Sequence, residues 1–285
     1  MIPARLGPAT HCGVVALSVG HLERSLRYYT DQIGLQVQQH SAGEALLGVG
    51  TEALLRLVEQ PGARSVQRNH TGLYHFALLT PDRAALGRLL AHLLESQTPI
   101  DGASDHGVSE ALYLTDPDGH GIELYRDRPR AEWPAVAGNL TMTIDPLDVH
   151  DLLAAALPQR AWTGLEPETT VGHVHLHVAD LAAAEYFYVE LLGLDLMQRF
   201  GRQAIFVSAG GYHHHLGLNT WAGQGAPPAP AAAARLLCWE LVVPVPADLE
   251  AALERLAAAG YPATETANCW QVSDPSANVV QLRAA

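Results

Sequence analysis

Cysteine is scarce and unpaired. The chain has three, Cys12, Cys238 and Cys269, an odd number without CxxC spacing, which argues against both a disulfide framework and a thiolate zinc site. All three are expected to be small core residues. Long apolar runs are missing too. No stretch approaches the roughly 18 to 20 residues that a membrane span requires, and the opening MIPARLGPATH has no apolar stretch of the signal-peptide kind. A cytoplasmic protein with no membrane partner is therefore expected. Positive charge is also short: 17 Lys+Arg against 30 Asp+Glu give a formal net charge of -13. That balance is wrong for a phosphate backbone, which excludes nucleic acid as a partner and favours a small neutral or weakly acidic molecule.

Histidine is what the chain has in quantity, 15 among 285 residues, and several sit inside apolar strand-like runs. Neutral imidazoles supply lone pairs for a metal and sites for proton transfer. His75, inside TGLYHFALL, is one of them. A lone histidine in such a run is ordinarily a satisfied core residue. Only partners elsewhere in the chain would make it a ligand.

Internal repeats supply those partners. GVVALSVGHLERSLRYYTDQIGL (13–35) aligns without a gap on GHVHLHVADLAAAEYFYVELLGL (172–194). Each reads as a period-two strand, a turn, a helix carrying paired aromatics, and a Gly-Leu exit. HFALLTPDRAALGRLLAHLLE (75–95) matches CWELVVPVPADLEAALERLAAAG (238–260), and their tails, LTDPDGHGIELY and VSDPSANVVQL, both read as strand, Asp-Pro turn, strand. Four units follow, at about 11–60, 71–127, 170–221 and 236–285. Each should lay one sheet face under its helix and leave the other face for a second unit to complete. Residues 128–169 read as the linker between two domains, and GQGAPPAPAAAA (223–234) as a mobile surface loop.

Strand alternation places His173, His175 and His177 on one face and Val174, Leu176 and Val178 on the other. In the repeat alignment, His173 corresponds to Val14, His75 and Cys238 in the other three units. On the last strands, Glu123 corresponds to Arg56 and Gln281. Two histidines and a carboxylate suit an octahedral iron(II) site with three open positions. His75, His173 and Glu123 form such a set if the second and third units pair with each other.

The repeated unit, the Asp-Pro-Asp-Gly turn before Gly-Ile-Glu-Leu-Tyr, and the first-strand histidines resemble the vicinal oxygen chelate superfamily of glyoxalases, bleomycin-resistance proteins and extradiol dioxygenases. Within it, the chain is most similar to the catechol 2,3-dioxygenase branch. That resemblance implies an α+β fold of four βαβββ modules forming two paired, open-barrel sites, with glyoxalase-type domains at 1–127 and 170–285. It implies a non-haem iron(II), with manganese(II) or another divalent metal as alternatives, and ring cleavage of an aromatic diol by dioxygen in aromatic catabolism. It also implies His106 and Tyr113 as residues contacting substrate, and an acid/base histidine among His213, His214 and His215. Registration favours His214, while strand parity groups His213 with His215. The family's familiar two-domain dioxygenases draw ligands from units three and four, whereas Cys238 and Gln281 stand at the unit-four positions here. A glyoxalase-like lyase or isomerase and a metal-free small-molecule binding protein are the competing readings. The oligomeric state is open, a homodimer among the options.

Overall fold

The computed structural model describes residues 5–66, 69–156 and 162–285. Module one comprises β1 (His11–Val19), α1 (Leu22–Arg27), β2 (Gln36–Ser41), β3 (Glu44–Val49) and β4 (Glu52–Glu59), followed by the short β5 (Arg64–Ser65). Module two comprises β6 (Gly72–Leu79), α2 (Arg83–Glu95), β7 (Gly102–Asp105), β8 (Ser109–Thr115) and β9 (Gly121–Asp127). The connecting segment adds β10 (Ala135–Val136), β11 (Asn139–Leu140), β12 (Asp145–Pro146) and α3 (Val149–Ala155). Module three comprises β13 (Thr170–His177), α4 (Leu181–Glu185), β14 (Asp195–Phe200), β15 (Ala204–Ser208) and β16 (Leu216–Asn219). After β17 (Ala233–Ala234), module four comprises β18 (Leu236–Val243), α5 (Pro246–Ala258), β19 (Thr264–Glu265), β20 (Trp270–Ser273) and β21 (Val279–Ala284).

The modules pair into two sheets. One has the order β19-β20-β21-β18-β1-β4-β3-β2 and joins modules four and one; the other, β12-β7-β8-β9-β6-β13-β16-β15-β14, joins modules two and three. Each sheet thus takes one module from residues 1–127 and one from 170–285. The second sheet is closed at its centre by the antiparallel seam of β6 and β13, where His75 stands opposite His175 and Ala77 opposite His173.

Within every module, the first strand runs parallel to the last, and the registers superpose the repeats. Ala16 pairs with Arg56, Ala77 with Glu123, His175 with Gly217 and Glu240 with Gln281. Two residues before each first-strand partner stand Val14, His75, His173 and Cys238. The repeat equivalences are therefore equivalences of position in the sheets.

Alternation decides which face is apolar. Phe76, Leu78, Val174, Leu176, Ile122 and Leu124 are fully buried and belong to one continuous core with Leu86, Leu89 and Leu93 of α2. Each such side chain stabilises the fold by about 1.5–3 kcal/mol relative to its exposed state. With that face committed to the helices, the histidines of β6 and β13 are left on the opposite one.

α1 and α4 are short because each runs into a π-type turn, Tyr28–Gln32 and Tyr186–Leu191. The widened turn carries a buried tyrosine to the next module. Tyr29 donates its hydroxyl to Asp116 Oδ2 at 2.8 Å and Tyr188 donates to Asp274 Oδ2 at 3.1 Å. Both aspartates open the Asp-Pro turns noted in the repeat, and their other oxygens each accept two turn N–H groups.

The Pro/Ala-rich loop is tied down along its length. Thr71 donates its backbone N–H to Pro227 O at 2.9 Å, and β17 pairs with β5. Cys12 and Cys238 are buried free thiols, but Cys269 is only half-buried, which corrects the expectation that it belongs to the core. Among the described residues, no helix is long and apolar enough to cross a membrane.

Candidate metal centre and its pocket

β6, β9 and β13 are consecutive neighbours in one sheet and turn His75, Glu123 and His173 onto the same face. The three are 6%, 3% and 1% exposed. One donor atom from each lies within 4.8 Å of the others, the single such histidine, cysteine or carboxylate group found among the described residues. Glu123 Oε2 lies 3.0 Å from His75 Nε2 and 3.1 Å from His173 Nε2.

The donor chemistry fits a divalent cation. His75 Nε2 is sealed from solvent with no hydrogen-bond partner among the described residues, despite its short distance to the carboxylate. A buried nitrogen of this kind is costly unless something binds it. One carboxylate oxygen stands about 3 Å from both imidazole nitrogens, so the three donors converge closely enough for one cation to be held by all of them. Burial draws the His173 imidazolium down to about 4, against the opposing pull of Glu123. Burial works to raise the Glu123 carboxyl, but the imidazoles, His173 foremost, hold it well below the usual carboxylate range. Neutral imidazole beside ionised carboxylate is the state a metal requires of its ligands.

The fourth equivalent position is Gly217. A Cβ there would lie 2.8 Å from the His175 ring, so the ring occupies the space a side chain would need. Asn219 fixes this arrangement by donating from Nδ2 to His175 Nε2 at 3.0 Å while its Oδ1 takes His177 Nδ1–H at 2.7 Å. Three donors face the concavity and the fourth side is left to His175 and open space.

The remaining expected residues surround a cavity of about 210 Å³ that includes Glu123, His106, Tyr113, His214, His175, Phe206 and Trp221 in its walls. His106 spends its Nδ1–H on Thr143 O at 2.7 Å, so the neutral ring accepts the Tyr113 hydroxyl at Nε2, 2.6 Å away. Burial, and then Glu123, raises the Tyr113 phenol well above its usual range and keeps it neutral. A larger cavity of about 790 Å³ shares Tyr74, His75, Tyr113 and Trp221 with the first and continues to Arg235 and Ala229.

The three consecutive histidines go three ways. Only His214 lines the smaller cavity, its ring centroid 4.1 Å from that of His173. His213 is fully buried and pairs with Asp127, while His215 accepts the Ala209 N–H. Strand parity does not govern them, because they lie in a bend before β16, entered through the left-handed Gly210 (φ 64°) and Gly211 (φ 67°).

Several pocket residues escaped the sequence reading. Alternation from His173 places His175 on the same face, and from Glu123 it would also have found Asp127, which contacts His213. Met142, Thr143 and Ile144 could not be found this way, because their segment is held at the cavity by irregular contacts, the two-residue pairing of β12 with the edge strand β7 and the bonds of Thr143 to His106. The segment expected as a linker therefore also walls the site.

A family model for the Glyoxalase/Bleomycin resistance protein/Dioxygenase superfamily matches residues 11–124 and 170–270. The chain is 47% identical over 270 residues to the catechol-2,3-dioxygenase of Bacillus subtilis (strain 168), covering 93% of this chain and 94% of that protein. Its fold is similar to that of a putative dioxygenase from Bacillus subtilis subsp. subtilis str. 168, with a TM-score of 0.67 at 13% identity over 99% of this chain and 86% of the other. Glyoxalase I from Zea mays superposes with a TM-score of 0.60 at 19% identity over 97% and 92%. With four repeated modules, paired sheets and this family match over most of its length, the chain belongs to the glyoxalase/bleomycin resistance protein/dioxygenase superfamily.

Proposed function

We propose that the chain is an extradiol dioxygenase that cleaves a catechol-type ring with O2, using iron(II) held by His75, His173 and Glu123. Manganese(II) or another divalent ion is the alternative occupant. The observation that carries this reading is the His/Glu/His donor set with a glycine at the fourth equivalent position, beside a ring-sized pocket. A glyoxalase-type lyase commonly adds a fourth protein ligand, often a second carboxylate, and Gly217 offers none. The 47% identity to a protein named catechol-2,3-dioxygenase supports the same choice.

When bound, the ion would supply Lewis acidity that lowers the pKa of a substrate hydroxyl, and a template for diol and dioxygen. The protein's own part is positioning and proton handling. Phe206, Trp221, Met142 and Ile144 give the pocket apolar walls that hold a flat ring and exclude water. His214 faces the pocket beside His173 and accepts a proton from a substrate hydroxyl. Tyr113, its proton directed to His106, keeps oxygen lone pairs for a protonated oxygen of the substrate, and His106 holds the phenol in that orientation.

The test is anaerobic reconstitution with iron(II), then air and a panel of catechols, following oxygen uptake and yellow ring-cleavage products. Turnover supports the reading. Bound metal with no turnover but isomerase activity would favour the glyoxalase reading. Ligand binding unaffected by exhaustive chelation would favour a metal-free binding protein.

A further inference from the structure

We propose that Asp127 and His213 are positioning residues that fix the tautomer of His214, leaving its Nε2 as a bare lone pair toward the pocket. This rests on the reading of His214 as the proton acceptor. Asp127 is the last residue of β9, four positions beyond Glu123 and on the same face. Its carboxylate can only accept a hydrogen bond, so His213 Nε2, 2.8 Å away, carries a proton. With the ring neutral and its one proton on Nε2, the lone pair is on Nδ1. That Nδ1 lies 2.7 Å from Nδ1 of His214, and one of two nitrogens so close must donate. The donor is therefore His214 Nδ1–H, and its Nε2 is left without a proton.

The surroundings keep the chain of contacts in register. His213 is fully buried between the rings of Tyr212 and Trp133, at centroid distances of 4.0 and 5.3 Å. Tyr212 is itself tied to Tyr125 of β9 by a 2.7 Å hydroxyl contact. On the pocket side, the His214 ring is lodged between His173 and Phe206, at 4.1 and 4.9 Å. Among the described residues, its Nε2 has no hydrogen-bond partner. The strand that carries Glu123 thus also determines, through one intervening imidazole, which nitrogen of His214 is basic. Neutral imidazole otherwise favours neither geometry strongly, and a ring protonated at Nε2 could not take a substrate proton there.

The experiment is nitrogen NMR of the histidine side chains in the metal-free full-length protein, with the His214 signals assigned from the His214→Gln variant. The expected result is a His214 ring protonated at Nδ1 and bare at Nε2. A ring protonated at Nε2 would overturn the proposal without any variant having to fold. In Asp127→Ala, His214 should become a mixture of both tautomers, and an unchanged single tautomer would remove Asp127 from the role. In the metal-loaded Asp127→Ala enzyme, kcat should fall about 10- to 100-fold with KM and metal content unchanged. A loss confined to KM or metal content would mean a purely structural role. The NMR result does not depend on turnover, so the tautomer can be found as expected even if the dioxygenase reading fails.

Discussion

His173 Nε2 and Glu123 Oε2 meet at 3.1 Å although 50 residues separate them in sequence. They meet because the antiparallel β6–β13 seam sets module three beside module two, and β9 lies on the other side of β6. The site therefore belongs to the seam and to neither module alone. Removing the carboxylate should destroy the donor set while sparing the sheet, whose core faces the other way. Glu123→Ala is expected to bind iron(II) at least about 100-fold more weakly than wild type and to lose the thermal stabilisation that metal confers. Metal analysis after dialysis, together with melting curves with and without iron(II), checks both.

Gly217 and His175 share one space, with 2.8 Å between a would-be Cβ and the ring. Gly217→Ala should push the ring away from Asn219 and destabilise the protein by about 1–3 kcal/mol. Urea unfolding midpoints would show this. A neutral substitution would mean that His175 yields freely and does not guard the open side of the site.

The Tyr29–Asp116 contact spans modules one and two, and its counterpart Tyr188–Asp274 spans three and four. Tyr29→Phe leaves the shape intact but takes a donor from a carboxylate that is only 4% exposed. A loss of about 1–3 kcal/mol is expected, with iron binding unchanged. Chemical denaturation with a parallel metal titration tests the separation between the structural sheet contacts and the site.

Glu110 is 3% exposed and is met by Arg83 and Arg126 at 2.8 and 2.7 Å. Burial raises its pKa, but the hydrogen bonds from Arg83 and Arg126 outweigh that and hold it below its ordinary value of 4.5. A depressed folded pKa means the unfolded chain binds the proton more readily, so this contribution is complete above the ordinary value and lost as pH falls through the folded one. Glu110→Gln should cost about 3 kcal/mol at neutral pH. The gap to wild type should narrow below about pH 4, as followed by urea unfolding across a pH series. A gap constant with pH would show that charge plays no part.

The fold was legible because each module repeats the same alternation, helix and turn, and the parallel registers keep the repeats in step. The pairing of modules two and three was legible for a chemical reason. Val14, Arg56, Cys238 and Gln281 leave modules one and four without a donor set, so the sequence favoured His75, Glu123 and His173 meeting across a seam of modules two and three, and the sheet order has that seam. What stayed hidden depended on irregular backbone. His213 to His215 sit in a bend where period two no longer applies, and Thr143 reaches His106 through a two-residue edge pairing. Neither leaves a periodic trace in the sequence.

The most direct test of the central claim is a single turnover of the iron(II)-loaded protein with a catechol under isotopically heavy dioxygen, read by mass spectrometry. The account predicts a ring-opened product carrying both heavy oxygen atoms, formed by wild type and absent with Glu123→Ala. Cleavage with no heavy oxygen incorporated, or equal product from Glu123→Ala, would contradict it.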